Sequence, residues 1–259
     1  MASSYLIRLP SCSLGEYLVL DSELVERFIA TFAGYGNVAA PYWFIGMEEG
    51  GDSSDEALED RLRVWRERGC LAIEDLHDYH IETGLANYVG SFPKLQTTWK
   101  QLIRILLTAE DRDADTDSIR TYQGNELGRR DGETALLELY PLPAAGLAHW
   151  PYGELTLLPY LRDRKTYLRT LEVKRIRHLQ RLIDEHQPSV VIMYGTTYRE
   201  QWERLHGSWL RAEAEPELFR GRRGSSQLLL IKHPAAKGVT NDYFVAVGNY
   251  VRQLREGAS

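Results

Sequence analysis

Three carboxylates and one histidine stand where apolar runs break. Glu48 and Glu49 follow Tyr42-Trp43-Phe44-Ile45-Gly46-Met47 and precede Gly50 and Gly51. Glu138 lies in Ala135-Leu136-Leu137-Glu138-Leu139, a run that stops at Pro141. His233 follows Leu228–Lys232 and precedes Pro234. A positioned carboxylate holds or deprotonates water and stabilises a developing cation, and such acid–base help contributes about 10²–10⁴ in rate. An imidazole N–H stabilises a departing anion, as an oxyanion hole does. The competing description is structural: an acidic solvated turn for Glu48-Glu49, a backbone-bonded histidine for His233, and a Glu138 that points outward or pairs with an arginine.

These residues need elements to hold them. Helical spacing predicts helices over 22–33 (with Ser22 as N-cap), 53–68, 94–108, 166–186, 197–206 and 241–255. Four apolar strands are expected, at 42–45, 135–139, 189–193 and 228–232. Residues 109–133 are rich in Asp, Gly and Arg and predict a polar surface loop. Apolar strands alternating with helices imply an α/β class: one three-layer domain over 1–259, a central, mostly parallel four-stranded sheet, and a helical N-terminal portion over 1–40. In open α/β sheets ligands bind beyond the carboxyl ends of the strands, so the separate oddities are expected to converge.

Bulk properties narrow the classes. The chain has 259 residues, of which 43% are hydrophobic and 26% charged, enough for a core and against overall disorder. No apolar run reaches the length of a membrane span, and the N-terminus lacks the pattern of a secretory signal. Cys12 and Cys70 cannot make a four-cysteine metal site, so no metal and no cofactor are expected, and a reducing cytoplasm is the simplest setting. The net charge of −6 counts modestly against nucleic acid. Local basic runs count the other way: Arg162, Arg164, Lys165, Arg169, Lys174, Arg175 and Arg177, and then Arg220, Arg222 and Arg223.

Taken in order, the motifs resemble the uracil-DNA glycosylase superfamily over roughly residues 40–250. Gly46-Met47-Glu48-Glu49-Gly50-Gly51 occupies the place of its first motif, G-x-x-P-G or GQDPYH. Glu138-Leu139-Tyr140-Pro141-Leu142 fits the frame of N-x-C-P-L, and His233-Pro234-Ala235-Ala236 that of HPSP. Residues 189–195 look like the strand that precedes that last motif. The resemblance implies base eversion and cleavage of an N-glycosidic bond, with Glu48 (Glu49 second) as the catalytic carboxylate and His233 as donor to the leaving base. Phe92, with Tyr88 behind it, would stack on the base, and Gly46 would belong to the pocket floor. Lys237, Val239 and Asn241 would enter the minor groove, with Arg222 and Arg223 on phosphates.

The departures carry information. Glu49 replaces the proline of the first motif, and Glu138 replaces the base-reading asparagine. An ionised carboxylate accepts from cytosine N4 and is repelled by the O4 acceptor of uracil. Gly50 replaces a tyrosine that closes the space beside C5. The expected activity is therefore excision of a 5-modified cytosine, such as glucosylated hydroxymethylcytosine in phage DNA, by a monomer. Two alternatives stay open, a uracil-DNA glycosylase and a non-catalytic nucleic-acid or nucleotide-binding module. An unrelated hydrolase is disfavoured, because no G-x-S-x-G elbow is present.

Overall fold

A computed structural model describes residues 20–51, 54–144, 146, 149–208 and 210–257; Cys12 and residues 1–19 of the expected N-terminal portion lie outside them. In chain order the elements are α1 (Ser22–Thr31), β1 (Gly34–Gly36), β2 (Tyr42–Glu48), α2 (Asp55–Glu67), β3 (Ile73–Glu74), α3 (Leu76–Glu82), α4 (Thr97–Ala109), α5 (Thr116–Asn125), β4 (Thr134–Tyr140), α6 (Tyr152–Leu155), α7 (Arg164–His186), β5 (Val190–Tyr194), α8 (Arg199–His206), β6 (Arg211–Ala214), β7 (Glu217–Arg223), β8 (Ser226–Ile231) and α9 (Asn241–Glu256).

The expected α/β class holds, but the expected four-stranded sheet does not. Among the described residues the sheet is mixed and has eight strands, in the order β3-β1-β4-β2-β5-β8-β7-β6. The four apolar strands read from the sequence are β4, β2, β5 and β8, which are neighbours and mutually parallel. The others extend both flanks. Antiparallel β1 runs along β4, parallel β3 along β1, and the β6–β7–β8 meander is antiparallel.

Helices cover both faces. Successive strand residues point to opposite faces. The Tyr42 hydroxyl meets Arg255 of α9 and Glu110 at the end of α4, whereas the Trp43 ring lies 6.1 Å from the His186 ring of α7. The central strands are accordingly buried at consecutive positions.

Several expected boundaries shift. Asp21, not Ser22, caps α1, accepting from the Glu23 and Leu24 amides. Ser54 caps α2 and Asp163 caps α7, which therefore starts two residues earlier than expected. The expected loop 109–133 contains α5: Asp115 caps it, and Ile119, Tyr122, Gln123 and Gly124 are buried. In the described part of the N-terminal portion, α1 is followed by a strand, β1, rather than by more helix.

Candidate active site

The chain passes from β2 to β4 on one side of β2 and returns to β5 on the other. That reversal opens a crevice at the carboxyl ends of β2 and β5, where α/β sheets bind ligands. A cavity of about 390 Å³ lies there, lined by Met47, Glu48, Ala144, Gly146, Arg164, Tyr194, Tyr198 and His233. A larger cavity, about 550 Å³, is lined by Glu200, Glu203, Arg204, Gly207 and Ser208. Two of its charges are engaged in packing α8: Glu203 holds Arg199 and Arg204 holds Glu172. The smaller cavity holds the reactive groups.

Glu48, the last residue of β2, reaches across to Arg164 in the first turn of α7. Both Arg164 Nε (3.1 Å) and Nη2 donate to Oε2. Oε1 has no hydrogen-bond partner among the described residues. Burial raises the pKa of Glu48 above the ordinary carboxyl value, and the bonds and charge of Arg164 offset only part of that rise. The group is thus a carboxyl with one oxygen committed to Arg164 and one that is shut off from solvent and has no partner among the described residues.

His233 stands on the β8 side of the crevice. The Ala235 amide donates to its Nδ1 at 3.0 Å. Nδ1 is thereby the acceptor, and the neutral ring carries its proton on Nε2. Burial lowers the pKa of His233, which favours that neutral form. The Tyr194 ring meets the imidazole edge-on, with centroids 5.5 Å apart.

Glu49 turns away from the cavity. Arg61 Nη1 donates to its Oε2 at 2.7 Å, and the Tyr35 hydroxyl donates to the same oxygen at 2.9 Å. Burial works against ionisation here, but the charges of Arg61 and His80 and these hydrogen bonds hold the carboxyl below its ordinary range. Glu49 and Arg61 are a buried structural pair.

Glu138 sits one layer behind the cavity wall, inside β4 rather than at its end. It pairs in register with Gly46. The Tyr194 hydroxyl, 3.5 Å from Oε1, separates it from the cavity, and Oε2 is shut off from solvent with no partner among the described residues. Gly46 makes room for both groups: a Cβ there would lie 2.2 Å from the Tyr194 hydroxyl and 2.4 Å from Glu138 Oε2. Burial, then Glu49 and Glu48, raise the Glu138 pKa well above the ordinary value. With Arg61 on Glu49 and Arg164 on Glu48, Glu138 has no cation on its carboxyl, and its protonated form is favoured. Arg175, buried beneath it, donates to the backbone oxygens of Glu138 and Leu139 instead.

The structure thus brings Glu48 and His233 to one cavity, with Gly46 and Glu138 behind Tyr194. The remaining residues expected at the site lie elsewhere. Gly50 is exposed with open space where a Cβ would stand. Phe92 is 83% exposed and Tyr88 packs edge-on against Trp99 at 6.3 Å; neither lines the cavity, because their loop is tied to α5. Lys237 is exposed on the segment after His233, Val239 packs against the core, and the Asn241 side-chain oxygen accepts from Gln101 and Arg104.

Arg222 and Arg223 are at the opposite edge. The antiparallel β7–β8 hairpin sets Arg223 against Ser226, where β8 starts, and Arg223 pairs with Asp184. Six residues of β8 separate that edge from the cavity edge, about 20 Å of strand.

Arg164, Tyr194 and Tyr198 are site residues that the sequence did not single out. Arg164 was visible only as one member of a basic run. Tyr194 was visible as the residue that ends an apolar strand at the same edge as Glu48. Among the described residues no group of His, Cys, Asp and Glu is arranged to hold a metal ion, and Cys70 is free. No helix of the described chain is long and apolar enough to cross a membrane. No family model matches the chain, and no curated protein matches it.

Proposed function

We propose that the chain is a DNA N-glycosylase that everts a nucleotide, releases a 5-substituted cytosine and leaves an abasic site. One observation carries the proposal. An arginine-held carboxylate, Glu48, whose second oxygen is buried without a partner among the described residues, and a neutral histidine with its proton on Nε2, His233, line one cavity at the switch point of the sheet. The run of four parallel strands, with helices on both faces, supports the likeness to the uracil-DNA glycosylase fold.

In the proposed reaction the C1′–N bond breaks and its electron pair leaves with the base. His233 Nε2–H donates to the base oxygen on which that charge accumulates. Ionised Glu48 stabilises the cationic sugar. Its Oε1 accepts a proton from the water whose oxygen bonds to C1′. Arg164 keeps Oε2 occupied, so water and sugar meet Oε1. The 5-substituted base is supported by space: the cavity, about 390 Å³, is larger than a bare pyrimidine needs.

The place of Glu138 favours a second reading, a uracil glycosylase. Tyr194 stands between the Glu138 carboxyl and the cavity, so the carboxyl does not meet the base edge that tells cytosine from uracil. The charge argument for cytosine alone is therefore weakened. The test is incubation of the protein with oligonucleotides that carry one uracil, cytosine, hydroxymethylcytosine or glucosylated hydroxymethylcytosine, scored as abasic sites. Release of the substituted cytosines in preference to uracil is the expected result. Preference for uracil selects the second reading. No release from any of them, with DNA still bound, selects a binding module.

A further inference from the structure

Phe92 is the most exposed of the large apolar side chains among the described residues, at 83%. Exposure alone says little, but the loop beneath it is built with care. Gln123 of α5, buried to 1%, donates to the Tyr88 and Lys94 carbonyls (2.9 Å each) and accepts from the Gln96 amide (3.0 Å). Arg120 Nη1 donates to the Pro93 carbonyl at 2.9 Å. The Gly90 amide donates to the Gly124 carbonyl at 2.8 Å, and the backbones approach so closely that a Cβ on Gly124 would lie 2.0 Å from the Gly90 oxygen. Every one of these bonds fixes backbone between 88 and 96 and leaves the Phe92 ring outside.

A cation lies against each ring of the loop. The Arg120 guanidinium lies 4.7 Å from the Phe92 centroid, and Lys94 Nζ lies 5.8 Å from the Tyr88 centroid. Neither cation forms an ion pair among the described residues, whereas Arg61, Arg164, Arg220 and Arg223 are all matched to carboxylates. The loop also belongs to the cavity edge of the sheet. It leads into α4, whose Gln101 bonds Asn241 at the start of α9, directly after the His233 segment. Rings connect it inward from Tyr88 to Trp99, His80 and Tyr35, and the Tyr35 hydroxyl holds Glu49.

A fixed exposed aromatic beside unmatched cations has the chemistry of a single-strand platform, where a base stacks on the ring and the cations meet phosphate. We infer that Phe92, with Arg120 and Lys94, binds an unpaired nucleotide of the DNA strand outside the cavity. The inference rests on DNA being the partner, but not on base release.

The test uses the full chain and a fluorescein-labelled thymidine 12-mer, single-stranded or paired with its complement, followed by anisotropy across a salt series. Phe92→Ala is expected to weaken single-strand binding about five- to hundredfold, the range for loss of one stacked base. Duplex binding should change far less. Phe92→Trp should restore the affinity, and Arg120→Gln should weaken binding and lower the salt slope by about 0.7. Because Phe92 is exposed, Phe92→Ala should melt with the wild type, so weakened binding is not unfolding. Three results each overturn the inference: no single-strand binding by the wild type, unchanged binding by Phe92→Ala, or equal losses on single strand and duplex. The probe has only ordinary bases, so a failed glycosylase assay leaves a positive binding result standing.

Discussion

The two adjacent glutamates divide the labour between chemistry and structure. Glu48→Gln removes the proton acceptor and the charge beside the sugar, so single-turnover base release should fall at least about a hundredfold at saturating enzyme, beyond any loss of stability from leaving Arg164 without its counter-charge. Glu49→Gln leaves Arg61 buried without its counter-charge, so the main loss should be stability, about 3–5 kcal/mol by urea titration. The reverse pattern would exchange their roles. Arg164 sets the ionisation of Glu48. Its charge and hydrogen bonds lower a pKa that burial raises, so Arg164→Gln should raise it further. Glu48 is active as the carboxylate, so the acid limb of the pH–rate profile should move to higher pH, and an unmoved limb would mean that another group sets it. Glu48 and His233 were legible in the sequence because each ends an apolar run, and parallel strands align such ends at one edge. Arg164 was not legible as a partner. It lies 116 residues from Glu48, and only packing of α7 against the sheet brings them together.

At the scale of elements, the legible strands were those buried on both faces, because continuous apolar runs mark them. The edges were not legible. Gly34-Tyr35-Gly36 and the two-residue β3 are strands through backbone pairing with their neighbours, not through any apolar pattern. The β6–β7 ribbon carries charges, as edge strands do to discourage further pairing, and so showed in the sequence only as a basic run. Helix α5 was hidden by polar composition, although its Asp115 cap and the Ile119–Tyr122 spacing were present. The register of β2 on β4 has a direct consequence. It sets Gly46 beside Glu138 and under Tyr194, with no space for a methyl group. Gly46→Ala should therefore cost about 1–3 kcal/mol through overpacking, measured as a lowered urea midpoint. Combination with Tyr194→Ala should recover part of that loss, because the ring is the nearer obstacle. Full additivity of the two losses would show that Tyr194 is not what Gly46 accommodates.

At the scale of the whole molecule, pH and salt report how charge is distributed. Folded Glu138 keeps a proton that the unfolded chain releases above the ordinary carboxyl pKa, so it lowers stability as pH rises through that range toward its folded value. Glu138→Gln imitates the neutral acid and removes this dependence. Its melting temperature, relative to wild type, should be higher at pH 8 than at pH 4, and an equal difference at both would mean that Glu138 is ionised in the fold. Salt separates the two edges of the sheet. The chain carries −6 overall, so phosphate binding has to come from a local surface. Lys237 is exposed on the segment that follows His233 and forms no ion pair among the described residues. Arg223 holds Asp184 at 2.6 Å on the far edge, about 20 Å of strand from the cavity. Each cation on a duplex phosphate contributes about 0.9 to the slope of log affinity against log salt, through counterion release. Lys237→Gln should lower that slope by about one and weaken binding at low salt. Arg223→Gln should leave the slope unchanged, although it gives up an ion pair that holds β7 to α7. Measured on one duplex from about 50 to about 300 mM salt, over which the Debye length falls from roughly 14 to roughly 6 Å, a lower slope in Arg223→Gln with none in Lys237→Gln would move the DNA to the amino edge, away from Glu48 and His233, and the cavity would no longer be the place where a base is released.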